Sequence, residues 1–368
     1  MFDLYKEGKS VIKYTSGSFL NSEAALSRDI SVAFVGALSS KSTSILDATS
    51  ATGIRGIRYF LETPSKSITF LDINKDAFKS LKKNISFNKV KSKSFQDSIQ
   101  EFANTTDKKF EMIDLDPFGG VTPYIYDLMK VSRSGTCLMI TATDAAVLCG
   151  ADFRACVRLY DAKPMHNEIC QEVGLRLLIG YVARVAAQFS FGVEVLCSFS
   201  YLHYMRVFLR LHHGSKNASS SIKMLGYVHY CNKCLYRGTE SAVLPRINTC
   251  KLCGSLMDVS GKVWLGNLND KDILKSIKDK MADSNSYDSK SLELVDGLSN
   301  EVDIPLFYSV ARITKNMGIG SISTTKLIGL LKAHGFSASR THLSKYGIKT
   351  NASLDEIKAC VKTLSKGI

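Results

Sequence analysis

A carboxylate, a proline and an aromatic ring follow one another in segment 113–119, which reads IDLDPFG. The apolar residues before it predict a strand, which places Asp116, Pro117 and Phe118 where that strand ends. Proline fixes φ and has no N–H, so the turn is rigid. A carboxylate beside a backbone carbonyl can accept both N–H groups of an exocyclic amine, and Phe118 can stack on a base for about 1–3 kcal/mol. This pattern favours methylation of a nucleobase amine, with Asp116 as the catalytic acceptor; the alternative is a turn in which Asp116 only caps.

A second candidate site is the turn 50–56, which reads SATGIRG and follows a predicted strand. Glycines let a backbone approach a ligand, and the N-terminus of the next helix attracts polar groups. Asp72 ends the next predicted strand, where a carboxylate can accept hydrogen bonds from ribose hydroxyls, and Asp97 ends a weaker third strand on the adenine side. The turn lacks a complete G-x-G-x-x-G, so the pattern favours S-adenosylmethionine over a dinucleotide.

The elements that must position these residues alternate between strands and helices, which predicts an α/β fold with a parallel sheet covered on both faces. The predicted strands are 43–46, 67–71, one ending near 97, 110–115 and 135–141, and the predicted helices are 54–62, 76–87 and 122–130. A long helix over 166–188, an antiparallel strand pair over 193–213 and a polar linker over 214–221 follow. Because the carboxyl ends of parallel strands share one edge, we expect the acids to meet there.

Four cysteines have the spacing of a structural zinc site. Cys231 and Cys234 form one C-x-x-C pair, and Cys250 and Cys253 form another fifteen residues later. Two such pairs can direct four thiolates at one Zn²⁺ and leave no open position for catalysis, whereas a redox C-x-x-C needs only one pair.

The charge of the chain predicts a polyanionic partner. The formal net charge is +14, and residues 304–368 contain ten Lys or Arg against two acids. Such a field favours nucleic acid, although membrane surfaces and acidic proteins respond to the same field. Apolar content of 45% with every long apolar run interrupted by charge predicts a globular protein without a membrane span. We found no pattern that indicates an obligate protein partner.

The N-terminus has no signal-peptide pattern, so we expect a cytoplasmic protein, or a nuclear or mitochondrial one if the source is a eukaryote. The remaining six cysteines then read as small buried hydrophobic residues.

At this point the chain resembles the tRNA (guanine-N2)-dimethyltransferases that act on guanine 26. Seven motifs carry the resemblance in the order of that family: SATGIRGIR (50–58), IDLDPFG (113–119), TATD (141–144), the four cysteines, VWLGNL (263–268), RTH (340–342) and IKT (348–350). The sequence departs from the family near the N-terminus, where Ser22 replaces a usual proline and Ser27 a usual asparagine.

The resemblance implies a class I (Rossmann-like) methyltransferase domain over 1–213 and a C-terminal α+β, tRNA-binding domain over 214–368. The latter would hold the zinc module (223–262) and a basic helical unit (304–368). It implies that S-adenosylmethionine is bound by Arg28, Arg55, Asp72, Asp97 and Ser98. Guanine would lie between Phe19 and Phe118 while Asp116 accepts from N2, which is methylated once and then again.

Two alternatives remain open on sequence alone. One is a methyltransferase for another exocyclic base amine in RNA or DNA, because the acceptor chemistry is the same. The other is a non-catalytic tRNA-binding protein.

Overall fold

The computed structural model describes residues 3–14, 20–283 and 286–366. Its strands are β1 (Asp3–Glu7), β2 (Ser10–Tyr14), β3 (Ser44–Asp47), β4 (Ser67–Leu71), β5 (Ser92–Phe95), β6 (Met112–Leu115), β7 (Cys137–Ala142), β8 (Phe191–Tyr201), β9 (Tyr204–His213), β10 (Leu225–Tyr230), β11 (Arg237–Glu240), β12 (Asp258–Trp264), β13 (Tyr308–Ser309), β14 (Ala338–Thr341) and β15 (Ser344–Thr350). Its helices are α1 (Ala25–Leu38), α2 (Ile54–Glu62), α3 (Lys75–Phe87), α4 (Ile99–Thr105), α5 (Thr122–Lys130), α6 (Ala145–Leu148), α7 (Phe153–Tyr160), α8 (Cys170–Gln188), α9 (Ser215–Lys223), α10 (Lys271–Ala282), α11 (Ser289–Asn300), α12 (Val310–Asn316), α13 (Thr324–Ala333) and α14 (Leu354–Ser365).

The central sheet has seven strands in the order β5-β4-β3-β6-β7-β9-β8. The first five are parallel, and β9 and β8 run antiparallel at the edge beyond β7. Every residue of β3, β6 and β7 is buried, as expected when helices cover both faces of a parallel sheet. The predicted parallel sheet and the antiparallel pair are confirmed. From β3 the chain adds β4 and β5 on one side of the sheet and then β6 and β7 on the other side. Open α/β sheets place their ligands at such a switch point, here between β3 and β6.

The N-terminal segment, for which no sequence pattern predicted an element, forms the β1–β2 hairpin and the buried helix α1. The hairpin lies on α3, whose Asn84 and Asn88 side chains accept the N–H groups of Lys13 and Val11. Glu7, at the end of β1, accepts from Arg28 at 2.7 Å. A short stretch of sequence is therefore fixed to α1 and α3 by contacts that are distant in sequence.

Three predicted elements were wrong in part. The expected linker over 214–221 lies mostly in helix α9, because Ala218 and Ser221 are small enough to pack against β8 and the Ser221 hydroxyl accepts the Val193 N–H at 2.7 Å. The long helix begins at Cys170, not at 166. The basic unit over 304–368 is not only helical, since β13, β15 and β14 form a sheet in it.

The C-terminal part packs on α8 through buried polar contacts. Arg176 on α8 donates to the carbonyls of Trp264 at 3.0 Å and Gly266 at 2.9 Å. Glu172, one turn earlier, accepts the N–H of Leu306 at 2.7 Å. The expected α+β architecture is present here as two three-stranded sheets, β11-β10-β12 and β13-β15-β14, with helices around them. The boundary at 213/214 stays a prediction.

Across the part of the chain that the structure describes, none of the helices is both long and apolar enough to cross a bilayer.

The ion pairs of Glu7 give a stability prediction. Burial would raise the pKa of Glu7, but its hydrogen bonds to Arg28 and the charges of Arg28 and Arg58 lower the pKa to about 2. Because this folded-state pKa lies below the ordinary value of 4.5, the stabilisation is present above pH 4.5 and is lost as the pH falls towards 2. Glu7→Gln leaves two buried guanidinium groups short of a counter-charge and should lower the free energy of unfolding at pH 7 by about 3–5 kcal/mol.

Urea unfolding of both proteins between pH 7 and pH 3 would check this, and the difference should shrink below pH 4.5. The matched control is Asp76→Asn, which removes a solvent-exposed pair with Lys79 and should change little. Equal destabilisation by the two changes would contradict the argument.

Candidate active site

A cavity of about 740 Å³ lies at the carboxyl ends of the parallel strands. Its volume is within the range of small-molecule sites, roughly 300–1,000 Å³. Residues following β3, β4, β6 and β7 line it, together with α2, α3 and the turn between β8 and β9. Of the residues predicted as functional, it brings together Arg28, Arg55, Asp72, Asp116, Pro117 and Phe118.

The turn between β3 and α2 forms one wall of the cavity. Gly53 has a φ of +83°, a conformation that favours glycine, and an added Cβ would lie 2.5 Å from Leu81 Cδ1. Asp72 Oδ2 accepts the N–H of Ala51 at 2.7 Å and Oδ1 accepts that of Asn74 at 2.8 Å. Burial raises the pKa of Asp72, and these two bonds counteract the increase. Asp72 thus fixes the turn and still faces the cavity.

Asp116 lies beside this turn, where β6 ends. Its Oδ2 accepts from Arg55 Nη2 at 2.7 Å and Nε at 2.9 Å, and its backbone N–H donates to Thr49 Oγ1 at 2.9 Å. Burial alone would raise the pKa of Asp116, but the charges of Arg55 and Arg206 outweigh it and hold the pKa below its ordinary value. The carboxylate is therefore ionised at neutral pH and accepts hydrogen bonds only.

A buried charge network lies directly beneath Asp116. The Asp114 side chain is inaccessible to solvent and accepts two bonds from Arg206, at 2.9 and 2.8 Å, and one from the Tyr59 hydroxyl. Asp47, its neighbour on β3, accepts the Gly56 N–H at 3.0 Å. Burial, followed by the charge of Asp114, raises the pKa of Asp47 to about 7. Sequence analysis assigned no role to Asp47, Tyr59, Asp114 or Arg206.

The sequence carried one signal for this network. Arg206 stands alone among apolar residues in the first part of β9, and a buried strand does not tolerate an unpaired guanidinium. Its partner could not be found from spacing, since Asp114 is 92 residues away.

The remaining predicted residues differ in how they meet the cavity. The Arg28 guanidinium binds Glu7 Oε2 at 2.5 Å and the Asn21 carbonyl at 2.9 Å, so most of its donors are already used. Asp97 and Ser98 do not line the cavity, and the Ser98 side chain caps α4. Phe19 lies outside the described residues.

The mouth of the cavity is aromatic. Phe118 is 69% exposed, so part of its ring is accessible to a ligand. Tyr124, His203 and Tyr204 also line the cavity. The cavity therefore offers a planar ligand an exposed aromatic ring two residues from Asp116.

Away from this cavity, the four predicted cysteines converge on one point. The Sγ atoms of Cys231, Cys234, Cys250 and Cys253 all lie within 4.8 Å of one another. The arrangement could hold a metal ion.

Comparison with known proteins decides the family. The family model for the N2,N2-dimethylguanosine tRNA methyltransferases matches residues 4–362. The chain belongs to this family. The resemblance inferred from the motifs is thereby confirmed.

Relatives agree in both sequence and structure. The tRNA (guanine(26)-N(2))-dimethyltransferase of Pyrococcus horikoshii is 34% identical over 95% of this chain and 94% of its own length. The enzyme of the same name from Methanospirillum hungatei is 37% identical over 95% and 93%. A solved structure of Trm1 from P. horikoshii with S-adenosyl-L-methionine superposes with a TM-score of 0.91, at 33% identity, over 97% of this chain and 99% of that one. The predicted class I methyltransferase fold is confirmed.

Proposed function

We propose that this chain transfers methyl groups from S-adenosylmethionine to N2 of guanine 26 in tRNA, first one and then a second. The observation that carries the proposal is the position of Asp116. It is an ionised carboxylate, 27% exposed, in a cavity large enough for both a cofactor and a base, in a chain that belongs to the dimethylguanosine family.

The cofactor would lie along the turn between β3 and α2, where it supplies an electrophilic methyl group on a sulfonium. Asp72 fits the ribose, because each of its oxygens accepts one backbone bond and keeps a further lone pair. Arg28 and Arg55 line the same space. Asp97 and Ser98 remain proposed contacts on the adenine side, one strand further out.

Beside the cofactor, Asp116 would orient the amine. Arg55 holds one carboxylate oxygen and fixes the plane of the group, so the lone pairs that remain can accept N–H groups from N2. The backbone next to Pro117 would provide the second acceptor. Holding both N–H groups draws the nitrogen lone pair out of the ring and towards the methyl group, which is catalysis by orientation.

The low pKa of Asp116 is compatible with proton removal. The amine nitrogen would form its bond to the methyl group while the methyl carbon–sulfur bond breaks and the sulfur leaves as a neutral thioether. The nitrogen becomes positively charged, and its proton is then far more acidic than before. A weak base that is always ionised can therefore accept it, and the approach of the positive charge is favourable.

The base must leave its stack to reach this depth. Unstacking costs a few kcal/mol, and stacking on the exposed Phe118 ring offsets part of it. Phe19 is the proposed second face of the sandwich.

The tRNA itself would be held by phosphate contacts from the C-terminal part. Of the ten basic residues in 304–368, eight are exposed, namely Arg312, Lys315, Lys326, Lys332, Arg340, Lys345, Lys362 and Lys366. The His342 side chain is only 4% exposed, and its Nδ1 lies 2.8 Å from Glu301. It therefore belongs to the internal packing of this part of the chain and is not available to phosphate.

Asp116→Asn tests the catalytic proposal. The amide keeps the size of the side chain but loses the charge and half of the acceptor capacity, so turnover should fall about 10²–10⁴-fold while tRNA binding is kept. The measurement is methyl transfer to an unmodified tRNA transcript under single-turnover conditions, with the nucleosides identified by mass spectrometry. Asp107→Asn, an exposed carboxylate outside the cavity lining, is the matched control.

N2-methylguanosine and N2,N2-dimethylguanosine from the unmodified enzyme, nearly absent with Asp116→Asn, are the expected products. A methylated adenosine or cytidine would show that the enzyme acts on a base other than guanine. Bound tRNA without any product from the unmodified enzyme would favour the binding-protein alternative.

We also propose that the four cysteines hold one structural Zn²⁺. Cys231 to Cys253 and Cys234 to Cys250 have Sγ–Sγ distances of 3.5 Å. A tetrahedron of sulfurs at about 2.3 Å from zinc has edges of about 3.8 Å, which is close to this arrangement. The apolar cluster around the site is small, so metal binding would supply much of the folding energy of the module.

Metal analysis of the purified protein should give about one zinc per chain, and Cys253→Ser should lose it. Cys149→Ser, outside the cluster, should retain it and serves as the control. Because the site is closed, a chelator should unfold the module without a direct effect on methyl transfer to a minimal substrate. Full zinc content in Cys253→Ser would show that this cluster does not bind the zinc.

A salt titration tests the tRNA surface. Arg340 donates to the Thr325 hydroxyl at 2.8 Å and the Lys345 carbonyl at 3.3 Å, so Lys326 and Lys345 lie in one basic patch. Lys326→Ala/Lys345→Ala should weaken tRNA binding and reduce the slope of log K against log salt by about 1 for each phosphate that the variant no longer binds.

Lys41→Ala/Lys109→Ala is the control, because both residues are exposed and precede β3 and β6 at the edge of the sheet opposite the cavity. An equal change in slope for the two double variants would show that the patch has no special part in binding.

A further inference from the structure

Residues 289–350 have the element order of a winged helix–turn–helix module. Helix α11 comes first, β13, α12, α13 and the hairpin of β14 and β15 follow, and the sheet order is β13-β15-β14. Ser323 caps α13 by accepting the N–H of Lys326 at 3.4 Å. In helix–turn–helix proteins the second helix of the motif is the one that contacts a groove of the nucleic acid. The topology therefore singles out α13.

One face of α13 is exposed and basic. The opposite face packs into the core through Leu327 and Leu331. The sequence of the helix, TTKLIGLLKA, has no acidic residue. Gly329 lies three residues from Lys326 and three from Lys332, so each lysine is about 4.5 Å from it along the helix axis. The exposed residues are Thr325, Lys326, Gly329, Lys332 and Ala333.

The packing of α13 does not require glycine at position 329. Gly329 lies inside the helix and its φ is not positive, and an added Cβ would meet no atom of any other described element within 4 Å. Alanine would therefore fit. Glycine inside a helix lowers the folding equilibrium constant about two- to fivefold relative to alanine, because its backbone loses more freedom on folding. What glycine offers in return is close approach of the helix backbone to another molecule.

The shape of double-stranded RNA matches this face. The major groove of an RNA helix is deep and too narrow for side chains, whereas the minor groove is wide, shallow and lined by ribose 2′-hydroxyls. A helix that lies across the minor groove needs a flat centre near the riboses and cations on both sides for the phosphates. Gly329 provides the flat centre, and Lys326 and Lys332 provide the cations.

We propose that α13 lies across the minor groove of a double-helical stem of the tRNA, with the backbone at Gly329 against the riboses and Lys326 and Lys332 on the phosphates. This inference rests on the proposed function and extends it by naming the RNA feature that the C-terminal part recognises. Contacts to riboses and phosphates carry no base sequence, so tRNAs that differ in the sequence of this stem would bind alike.

Gly329→Ala tests the contact because it should change stability and binding in opposite directions. The melting temperature should rise by about 1–3 °C, since alanine has the higher helix propensity. The Kd for an unmodified tRNA transcript should rise about 5–150-fold, the usual scale for a methyl group forced into a packed contact. The Kd for S-adenosylmethionine should stay the same, because α13 does not line the cavity.

Gly297→Ala is the matched control. Gly297 is also an exposed glycine inside a helix, here α11, and an added Cβ would again meet no atom of another described element within 4 Å. Its neighbours on that helix include Glu293 and Asp296, whose carboxylates repel phosphates. This variant should gain a similar melting temperature and bind tRNA with unchanged Kd.

Hydroxyl-radical footprinting of the bound tRNA shows which riboses are covered. The unmodified protein and Gly297→Ala should protect riboses on both strands of one stem, and Gly329→Ala at saturating concentration should lose part of that protection. An unchanged tRNA Kd or a lowered melting temperature in Gly329→Ala would overturn the inference. So would an equal loss of affinity in Gly297→Ala, or protection confined to single-stranded loops. Failure of the proposed function would appear differently, as no N2 methylation of guanine by the unmodified protein.

Discussion

The pairing of Arg55 and Arg206 with Asp114 and Asp116 is the interaction on which the site depends. Parallel strands bring Asp47, Asp114 and Asp116 to one edge of the sheet, where three carboxylates out of water would repel each other and bind protons. The pKa of Asp47, raised to about 7 by burial and then by Asp114, shows the size of that effect. Two arginines reverse it for Asp116. Removing one partner from such a buried set costs about 3–5 kcal/mol. The same charges therefore stabilise the site and keep Asp116 ionised.

The same network gives different roles to two carboxylates that are only two residues apart. Asp114 has no solvent exposure and uses its oxygens on Arg206 and Tyr59, so it can contribute only to structure. Asp116 is 27% exposed and is held by Arg55 on one oxygen. The alternation of side chains along a strand does not explain why Asp114 is buried and Asp116 partly exposed, because every residue of β6 is buried. The exposure increases only where the strand ends. Position relative to the end of β6 therefore decides which acid can meet a substrate.

What could be predicted from sequence was local. The strand, turn and helix around Gly53, the IDLDPFG segment and the two C-x-x-C pairs are each defined by spacing over a few residues, and all were found. The contacts that complete the site are not local: Glu7 with Arg28 and Arg58, and Arg206 with Asp114, join elements far apart in the chain. The serine-rich α9 was missed for a related reason, since its propensity is poor and packing against β8 supplies its stability.

Buried charge also explains why the excess of basic residues in the C-terminal part is not all available for the proposed tRNA contacts. Lys349 is 4% exposed and lies 2.9 Å from Glu301 and 3.8 Å from Glu172 of α8. Apolar residues of the same volume could pack there at no loss of stability, whereas an ion pair has a preferred geometry. The charge of Lys349 thus fixes β15 against α8, the helix that also packs on β8. A tRNA held by the exposed lysines of that unit would then meet the cavity in one defined orientation, as methylation of a single base requires.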